Sequence, residues 1–175
     1  MPERISKELR KQLHQGDPEA FAALYQMLKT PVFTIAFRIV RSKEEAEDIM
    51  QEVFLRLWRT PPAPSVRNLR AWIFQMVHNL AIDTLRRHPD TAQALENAAL
   101  TEDDVFQTLA LRFDLEQAIH ALPCTEREIL TLHLNGGLRF HEIAAIVELS
   151  VSATYRKYRK ALNVLQTTLK GDGIV

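Results

Sequence analysis

The chain has 175 residues, 46% of them hydrophobic and 25% charged, with 22 basic and 22 acidic side chains. That length accommodates one domain or two small ones, and only five glycines argue against a turn-rich β fold. No stretch reaches the roughly eighteen apolar residues of a membrane span, and the N-terminus, Met-Pro-Glu-Arg-Ile-Ser-Lys, lacks the apolar core of a signal peptide. A single cysteine, Cys124, excludes an internal disulfide and suits a reducing compartment, so a cytoplasmic protein without membrane insertion of its own is expected.

Zero net charge conceals a pattern. Residues 91–111 hold four acids and no base, whereas residues 152–166 hold Arg156, Lys157, Arg159 and Lys160 and no acid. A local basic surface, not the global sum, decides where a phosphate backbone lands.

Asp17-Pro18 reads as the start of a helix, with Asp as N-cap and Pro in the first turn. Phe21, Leu24, Tyr25, Leu28, Val32, Ile35, Ala36 and Ile39 then recur at the spacing of a buried helix face, and Pro31 is expected to kink or interrupt the run. Ser42 and Glu45 form a capping box. The helix they start carries Ala46, Ile49, Val53, Phe54, Leu57 and Trp58 and stops at the proline-rich residues 60–64. Another helix is predicted from Leu69 to Arg87, with an apolar stripe of Trp72, Ile73, Met76, Val77, Leu80, Ile82 and Leu85. Residues 88–110, acidic and weakly periodic, read as a linker.

Beyond the linker a helix is predicted over 113–121, ended by Leu122-Pro123, and a second capping box, Thr125 to Glu128, opens the next. Asn135-Gly136-Gly137 breaks the chain. A short helix over 140–147, a turn at Glu148-Leu149-Ser150-Val151, and a long basic helix capped by Ser152 make a helix-turn-helix. Val151, Thr154, Ala161, Leu162 and Leu165 are expected to seat that last helix on its neighbours. The fold class is therefore all-α: two small helical domains joined by a flexible linker, the C-terminal one a helix-turn-helix.

Three helices carry candidate binding chemistry. In the basic helix, Ser152, Ala153, Tyr155, Arg156 and Lys157 reach base edges most easily in this geometry, and Arg159 and Lys160 lie further along, toward backbone. Residues 48–59 make an amphipathic helix, which on spacing alone is a core element. Arg67, Arg70, Arg86 and Arg87, with aromatics between, suit either a core helix with basic ends or a surface that holds single-stranded DNA. Catalytic signals are weak. The six histidines show no metal-ligand spacing, no glycine-rich phosphate loop exists, and no cofactor is expected. Asp103-Asp104 reads as a solvated charge run. Cys124 sits near a helix start, where thiolate is favoured, and reads as half-buried without a redox role.

Residues 42–59, Ser-Lys-Glu-Glu-Ala-Glu-Asp-Ile-Met-Gln-Glu-Val-Phe-Leu-Arg-Leu-Trp-Arg, closely resemble the second conserved region of bacterial sigma factors, especially the small extracytoplasmic-function group. Residues 69–87 are similar to the helix that follows it there. Leu122-Pro-Cys-Thr-Glu-Arg-Glu-Ile-Leu-Thr-Leu, Phe140-His-Glu-Ile-Ala and Leu149-Ser-Val-Ser resemble that group's fourth region. The resemblance implies a non-enzymatic promoter-specificity subunit with three domains of labour: residues 1–87, a linker at 88–111, and residues 112–175. It implies docking on the clamp coiled coil of core RNA polymerase through Asp48, Gln51, Glu52, Leu55, Arg56 and Arg59. It implies contact with the melting −10 element through Arg67, Asn68, Arg70, Trp72, Gln75, His78, Asn79, Arg86 and Arg87. It implies reading of the −35 element by residues 152–160, and restraint by an anti-sigma partner. Two departures stand out: Gln75-Met-Val-His-Asn79 where the family often has Arg-Ile-Ala-Arg-Asn, and Tyr155 and Tyr158 in the recognition helix. A stand-alone helix-turn-helix regulator would share only the C-terminal part. A helical interaction protein without DNA binding is the other alternative.

Overall fold

The computed structural model describes residues 5–63, 66–87 and 110–171, with backbone alone at 110–114 and 169–171. All regular elements among them are helices: α1 (Lys7–His14), α2 (Pro18–Val40), α3 (Lys43–Arg59), α4 (Leu69–Arg87), α5 (Ala110–Ala121), α6 (Cys124–Leu134), α7 (Phe140–Ile146) and α8 (Val151–Gly171).

Helix α2 is the axis of the molecule. The Asp17 carboxylate accepts from the N–H of Glu19 at 2.9 Å, and Arg41, in the left-handed conformation at φ 58°, closes the other end. Pro31 does not interrupt the helix; α2 runs through it. An interior proline costs about 3 kcal/mol. Leu24, Leu28, Val32 and Ala36 are wholly buried along the same helix, and burying each large aliphatic side chain returns about 1.5–3 kcal/mol. By length and composition α2 could cross a membrane, but its apolar faces are taken by α3, α4 and α6.

Around it, α3 starts as expected, with Ser42 Oγ accepting from Glu45 N–H at 3.3 Å. Helix α1, absent from the predicted elements, is capped by Ser6 and buries Leu13 against α2. In α4 the buried set is Leu69, Ile73, Phe74, Val77, Ala81 and Thr84. Trp72 and, in α3, Trp58 are exposed rather than part of the core. The helix period turns their indoles outward.

The second half brings three more corrections. Helix α5 begins at Ala110, ahead of the expected start at 113. Helix α6 is preceded by Pro123 without a side-chain cap, so Thr125 lies inside the first turn instead of capping it. Glu128, the expected reciprocal partner, is drawn to His78 instead. At α8 the cap is Ser150, whose Oγ accepts from Ala153 N–H at 3.2 Å, and Ser152 falls in the first turn. Val151 is consequently half exposed, while Thr154, Ala161 and Leu165 are buried as expected. Most of the predicted linker, 88–109, lies outside the described residues.

The two halves pack together. One apolar core passes from α2, α3 and α4 into Ile129, Leu132, Leu138, Ile143 and Ile146 of the second half. A smaller cluster, including Ile119, Leu130, Ala161 and Leu165, ties α5 and α6 to α8. Beside this core two arginines are buried. Arg38 donates to Glu116 at 2.7 Å, Asn135 at 3.0 Å and Thr131 at 3.2 Å. Arg127 donates from Nε to the Arg38 carbonyl at 2.9 Å and from Nη1 to the carbonyls of His120 and Leu122.

The turn between α6 and α7 depends on two glycines. Gly137 has φ 65°, and a Cβ on Gly136 would overlap the Leu132 carbonyl oxygen, a backbone atom that cannot swing away. Gly136→Ala is expected to cost about 1–3 kcal/mol, within the range of overpacked positions. Thermal unfolding followed by circular dichroism checks this; an unchanged midpoint contradicts the close approach.

Candidate nucleic-acid interface

The outward side of α3 is set by its period. Ala46, Ile49, Val53, Phe54 and Leu57 point inward, which turns Asp48, Gln51, Leu55, Arg56 and Arg59 to solvent, with Glu52 partly covered. Arg56 donates to Glu52 one turn back at 2.6 Å. Trp58, 47% exposed beside Leu55 at 45%, belongs to this surface. It was missing from the residues expected to dock, although its three-residue spacing from Leu55 places it on the same stripe. The edge contact of its ring with Phe21, centroids 5.0 Å apart, holds it in place. Two large apolar side chains among charges make a patch suited to a protein partner. An open groove of about 230 Å³ runs alongside, between α3 and α4, lined by Glu45, Asp48, Glu52 and Arg87 among others.

On α4 the candidate residues divide into two stripes. Asn68, Trp72, Gln75 and Asn79 follow one line, and Gln75 donates to Asn79 at 3.1 Å. Trp72 and Asn79 are exposed there, as is Arg67 in the preceding loop. Arg70 and His78 follow the other line, with the buried Phe74 between them, and this line meets the second half of the chain. Arg70 Nε donates to the Gly136 carbonyl at 2.5 Å, and its guanidinium lies over the Phe74 ring. His78 Nε2 stands 2.9 Å from the Glu128 carboxylate. Asn68 caps α4 through Ala71 N–H and also donates to Glu142 of α7. Arg86 and Arg87 are exposed at the helix end, Arg86 at 3.8 Å from Asp83 and Arg87 donating to the Asp83 carbonyl. The loop before α4 has a support that sequence reasoning missed: Arg10 of α1 donates from Nη1 to the carbonyls of Val66 and Arg67, both at 3.1 Å.

On α8 the basic residues also part. Ser152, Tyr155, Arg156 and Arg159 are exposed and share one face. Ala153 and Lys157 are partly covered. Lys157 Nζ reaches the buried Glu126 carboxylate of α6 at 3.1 Å, and Lys160 approaches the same oxygen at 3.8 Å. Tyr158 turns inward to an aromatic cluster, with centroids 4.9 Å from His133 and 5.1 Å from Phe140; Tyr155 meets Phe140 edge-on at 5.3 Å.

Charge is tuned where the halves meet. Burial lowers the pKa of His78, but the facing Glu128 carboxylate, helped by Asn79 and Glu148, raises it above the ordinary value. His120, packed edge-on against Phe37, is pushed down to about 4, first by burial and then by Arg127, Arg41 and Arg38. Cys124 is exposed at the start of α6, and desolvation raises its thiol pKa more than Arg127 lowers it, which disfavours thiolate. Among the described residues no group of three or more His, Cys, Asp or Glu side chains is placed to hold a metal.

Comparison with known families fits this layout. The model of Sigma-70 region 2 matches residues 24–89 and that of Sigma-70 region 4 matches residues 112–165. The chain belongs to the sigma-70 family. Its similar relatives include the ECF RNA polymerase sigma factor SigW of Bacillus subtilis, 26% identical over 96% of this chain and 98% of that protein. The ECF sigma factor SigK of Mycobacterium tuberculosis H37Rv is 27% identical over 96% and 97%. Among solved structures, the sigma factor RpoE in complex with the anti-sigma factor NepR from Bartonella quintana aligns with a TM-score of 0.68 at 22% identity, covering 86% of this chain and 96% of that one. CnrH in complex with the cytosolic domain of CnrY aligns with a TM-score of 0.65 at 22% identity, covering 95% and 97%.

The two histidines predict opposite pH limbs. His120, depressed when folded, binds its proton more readily unfolded, so stability falls as pH drops from about 6.5 toward 4. His78, raised when folded, contributes fully below 6.5 and loses its contribution as pH rises through its folded pKa. Each limb has a slope of at most about 1.4 kcal/mol per pH unit. Urea unfolding across pH 4–9 is expected to show both limbs. His120→Gln flattens the acid limb and Glu128→Gln the alkaline one; limbs unaffected by these substitutions refute the assignment.

Proposed function

We propose that the chain is a promoter-specificity subunit of bacterial RNA polymerase, acting in the cytoplasm through three surfaces on two family regions. In this reading residues 1–87 dock on the polymerase clamp and hold the −10 element, residues 88–111 connect, and residues 112–175 read the −35 element. The observation that carries it is the succession of both sigma-70 regions in one chain, each presenting an exposed surface of matching chemistry. A stand-alone helix-turn-helix regulator has no use for the Leu55 and Trp58 patch on α3.

The outward stripe of α3 serves as the polymerase contact. Leu55 and Trp58 supply buried apolar area on docking, and Asp48, Gln51, Glu52, Arg56 and Arg59 fix register around them. Arg67, Trp72, Gln75 and Asn79 take the single strand of the −10 element, with aromatic and polar groups against bases and cations against phosphates. Affinity for the open strand over the duplex shifts the closed-to-open equilibrium without a hydrolysed cofactor. The family is not normally catalytic, and binding energy is sufficient for this task. On α8, Ser152, Tyr155, Arg156 and Arg159 enter the major groove, while Lys157 and Lys160 divide their charge between Glu126 and phosphate. RpoE and CnrH are each solved with a partner, the anti-sigma factor NepR and the cytosolic domain of CnrY; we assign this chain a protein antagonist of the same kind.

Two measurements test the reading. Leu55→Ala is expected to weaken binding to core polymerase about ten-fold, as truncation of a central interface anchor does, while the helical circular dichroism stays intact; unchanged affinity removes α3 from the docking role. Arg156→Ala is expected to reduce initiation in vitro at −35-dependent promoters by about ten-fold or more, the scale of a lost base contact. Equal transcription by that variant refutes the placement of α8.

A further inference from the structure

Helix α1 adds little to the core. It buries Leu13, and Ile5 and Leu9 pack there only in part. It also makes a polar link to a distant part of the chain. Arg10 Nη1 donates to the carbonyls of Val66 and Arg67, both at 3.1 Å. Among the described residues the covered Nε of the same guanidinium has no hydrogen-bond partner. Covering an unpaired donor is unfavourable, so Arg10 keeps this pose only because the two carbonyl bonds offset that loss.

The acceptors stand where the chain turns into α4. Val66 N–H donates to the Ala63 carbonyl at 3.0 Å. The Asn68 carbonyl accepts from Trp72 N–H at 3.1 Å, and its side chain accepts from Ala71 N–H at 3.2 Å. The carbonyls of three consecutive residues, 66–68, are therefore all engaged. Asn68 is tied to its own helix, whereas Val66 and Arg67 are tied by a side chain 56 and 57 positions earlier. Because these bonds go to backbone, they fix the path of the chain whatever side chains it carries.

Two of the residues that the proposed function gives to the −10 strand, Arg67 and Trp72, are exposed on this segment. Arg67 bears one of the anchored carbonyls, and Trp72 lies one turn beyond the Asn68 cap. Exposure makes them available to any strand, but a fixed spacing makes them selective. Groups that wander must be ordered as the strand binds, which lowers affinity; groups already fixed need no such ordering. The loss falls hardest on the sequence that fits the fixed arrangement, so loosening the segment lowers affinity and discrimination together.

We propose that Arg10 is a positioning residue for capture of the −10 strand: from α1 it pins the backbone of Val66 and Arg67, so that Arg67 and Trp72 meet the strand at a set spacing. Arg10 is partly covered, with its guanidinium on the two carbonyls, and acts through them without touching the strand. The inference rests on the function proposed above and gives α1 a part in it.

The test uses holoenzyme assembled from core polymerase and the full chain. The probe is a fluorescent single-stranded DNA carrying the non-template −10 sequence that the wild-type holoenzyme selects from a random promoter library, beside a second strand with one −10 base changed. Arg10→Met keeps the apolar stem and removes the donors. Arg10→Lys restores one nitrogen able to donate to both carbonyls. Lys7→Ala removes an exposed charge of the same helix and leaves the bonds in place. Arg10→Met is expected to weaken binding of the selected strand about ten-fold, the scale of ordering one or two side chains, and to narrow the difference between the two strands, with affinity for core polymerase unchanged. Arg10→Lys recovers part of both losses, and Lys7→Ala matches the wild type. In the free chain, hydrogen exchange at the Val66, Ala71 and Trp72 amides is faster in Arg10→Met than in the wild type. Unchanged affinity and discrimination in Arg10→Met overturn the proposal, as does an equal loss in Lys7→Ala. An equal loss on both strands, with a salt slope shallower by about 0.7, puts Arg10 on a phosphate and overturns the positioning role. If the wild-type holoenzyme selects no promoter, the proposed function has failed, while the exchange rates still decide whether Arg10 holds the segment.

Discussion

A buried positive charge organises this molecule. Arg38 lies in the last turns of α2, and its side chain is satisfied by Glu116, Thr131 and Asn135, far along the chain. Its backbone carbonyl is taken by a second buried arginine, Arg127. An unpaired guanidinium in that position would cost several kcal/mol, so α2 cannot complete its own burial without α5 and α6. Once they are in place, the glycine turn and α7 are carried onto α4, and α8 is carried onto the far side of α6. The position of the α8 surface, and of the α4 flank that meets the second half, follows from that one requirement.

Much of the fold was legible because helix period and capping chemistry are local. The faces of α2 and α3 follow from apolar residues at three- and four-residue spacing, and the caps at Asp17 and Ser42 follow from side chains that reach their own first turn. The capping errors have one cause. Thr125 and Ser152 were read as caps from motif alone, but a cap also depends on what the third helical residue is doing. Glu128 is occupied by His78 from α4, and Ser150 already serves α8. Trp72 was set in the apolar stripe of its helix, although the helix period leaves it exposed. At Pro31 the helix continues without interruption, because the burial on either side of it outweighs the lost hydrogen bond.

The candidate surfaces were legible as sets of residues and not as arrangements. Sequence reading put Arg70 and His78 with Trp72 and Asn79 on one helix, and could not separate the flank that meets region 4 from the flank that meets solvent. That division rests on Gly136, Glu128 and Glu142, partners fifty or more residues away. Arg10 was invisible for the same reason, since its targets are backbone carbonyls at Val66 and Arg67 and carry no sequence signature. The two tyrosines of α8 likewise have different duties. Tyr158 packs between His133 and Phe140, whereas Tyr155 leans on Phe140 and remains half exposed. The unusual aromatic content of this helix is thus partly a matter of seating it.

Glu126 bears on how the C-terminal half would respond to its ionic surroundings. Its buried carboxylate draws in Lys157 and Lys160, so two of the four cations at 156–160 share one compensating charge from within. Salt dependence of DNA binding counts the condensed counterions displaced from phosphate, about 0.9 per charge that the protein delivers. The segment 156–160, whose composition advertises four such charges, delivers closer to three, because one carboxylate offsets one cation. Binding by this half is accordingly less sensitive to ionic strength than its sequence suggests, and a larger share of its affinity must come from base edges and groove shape.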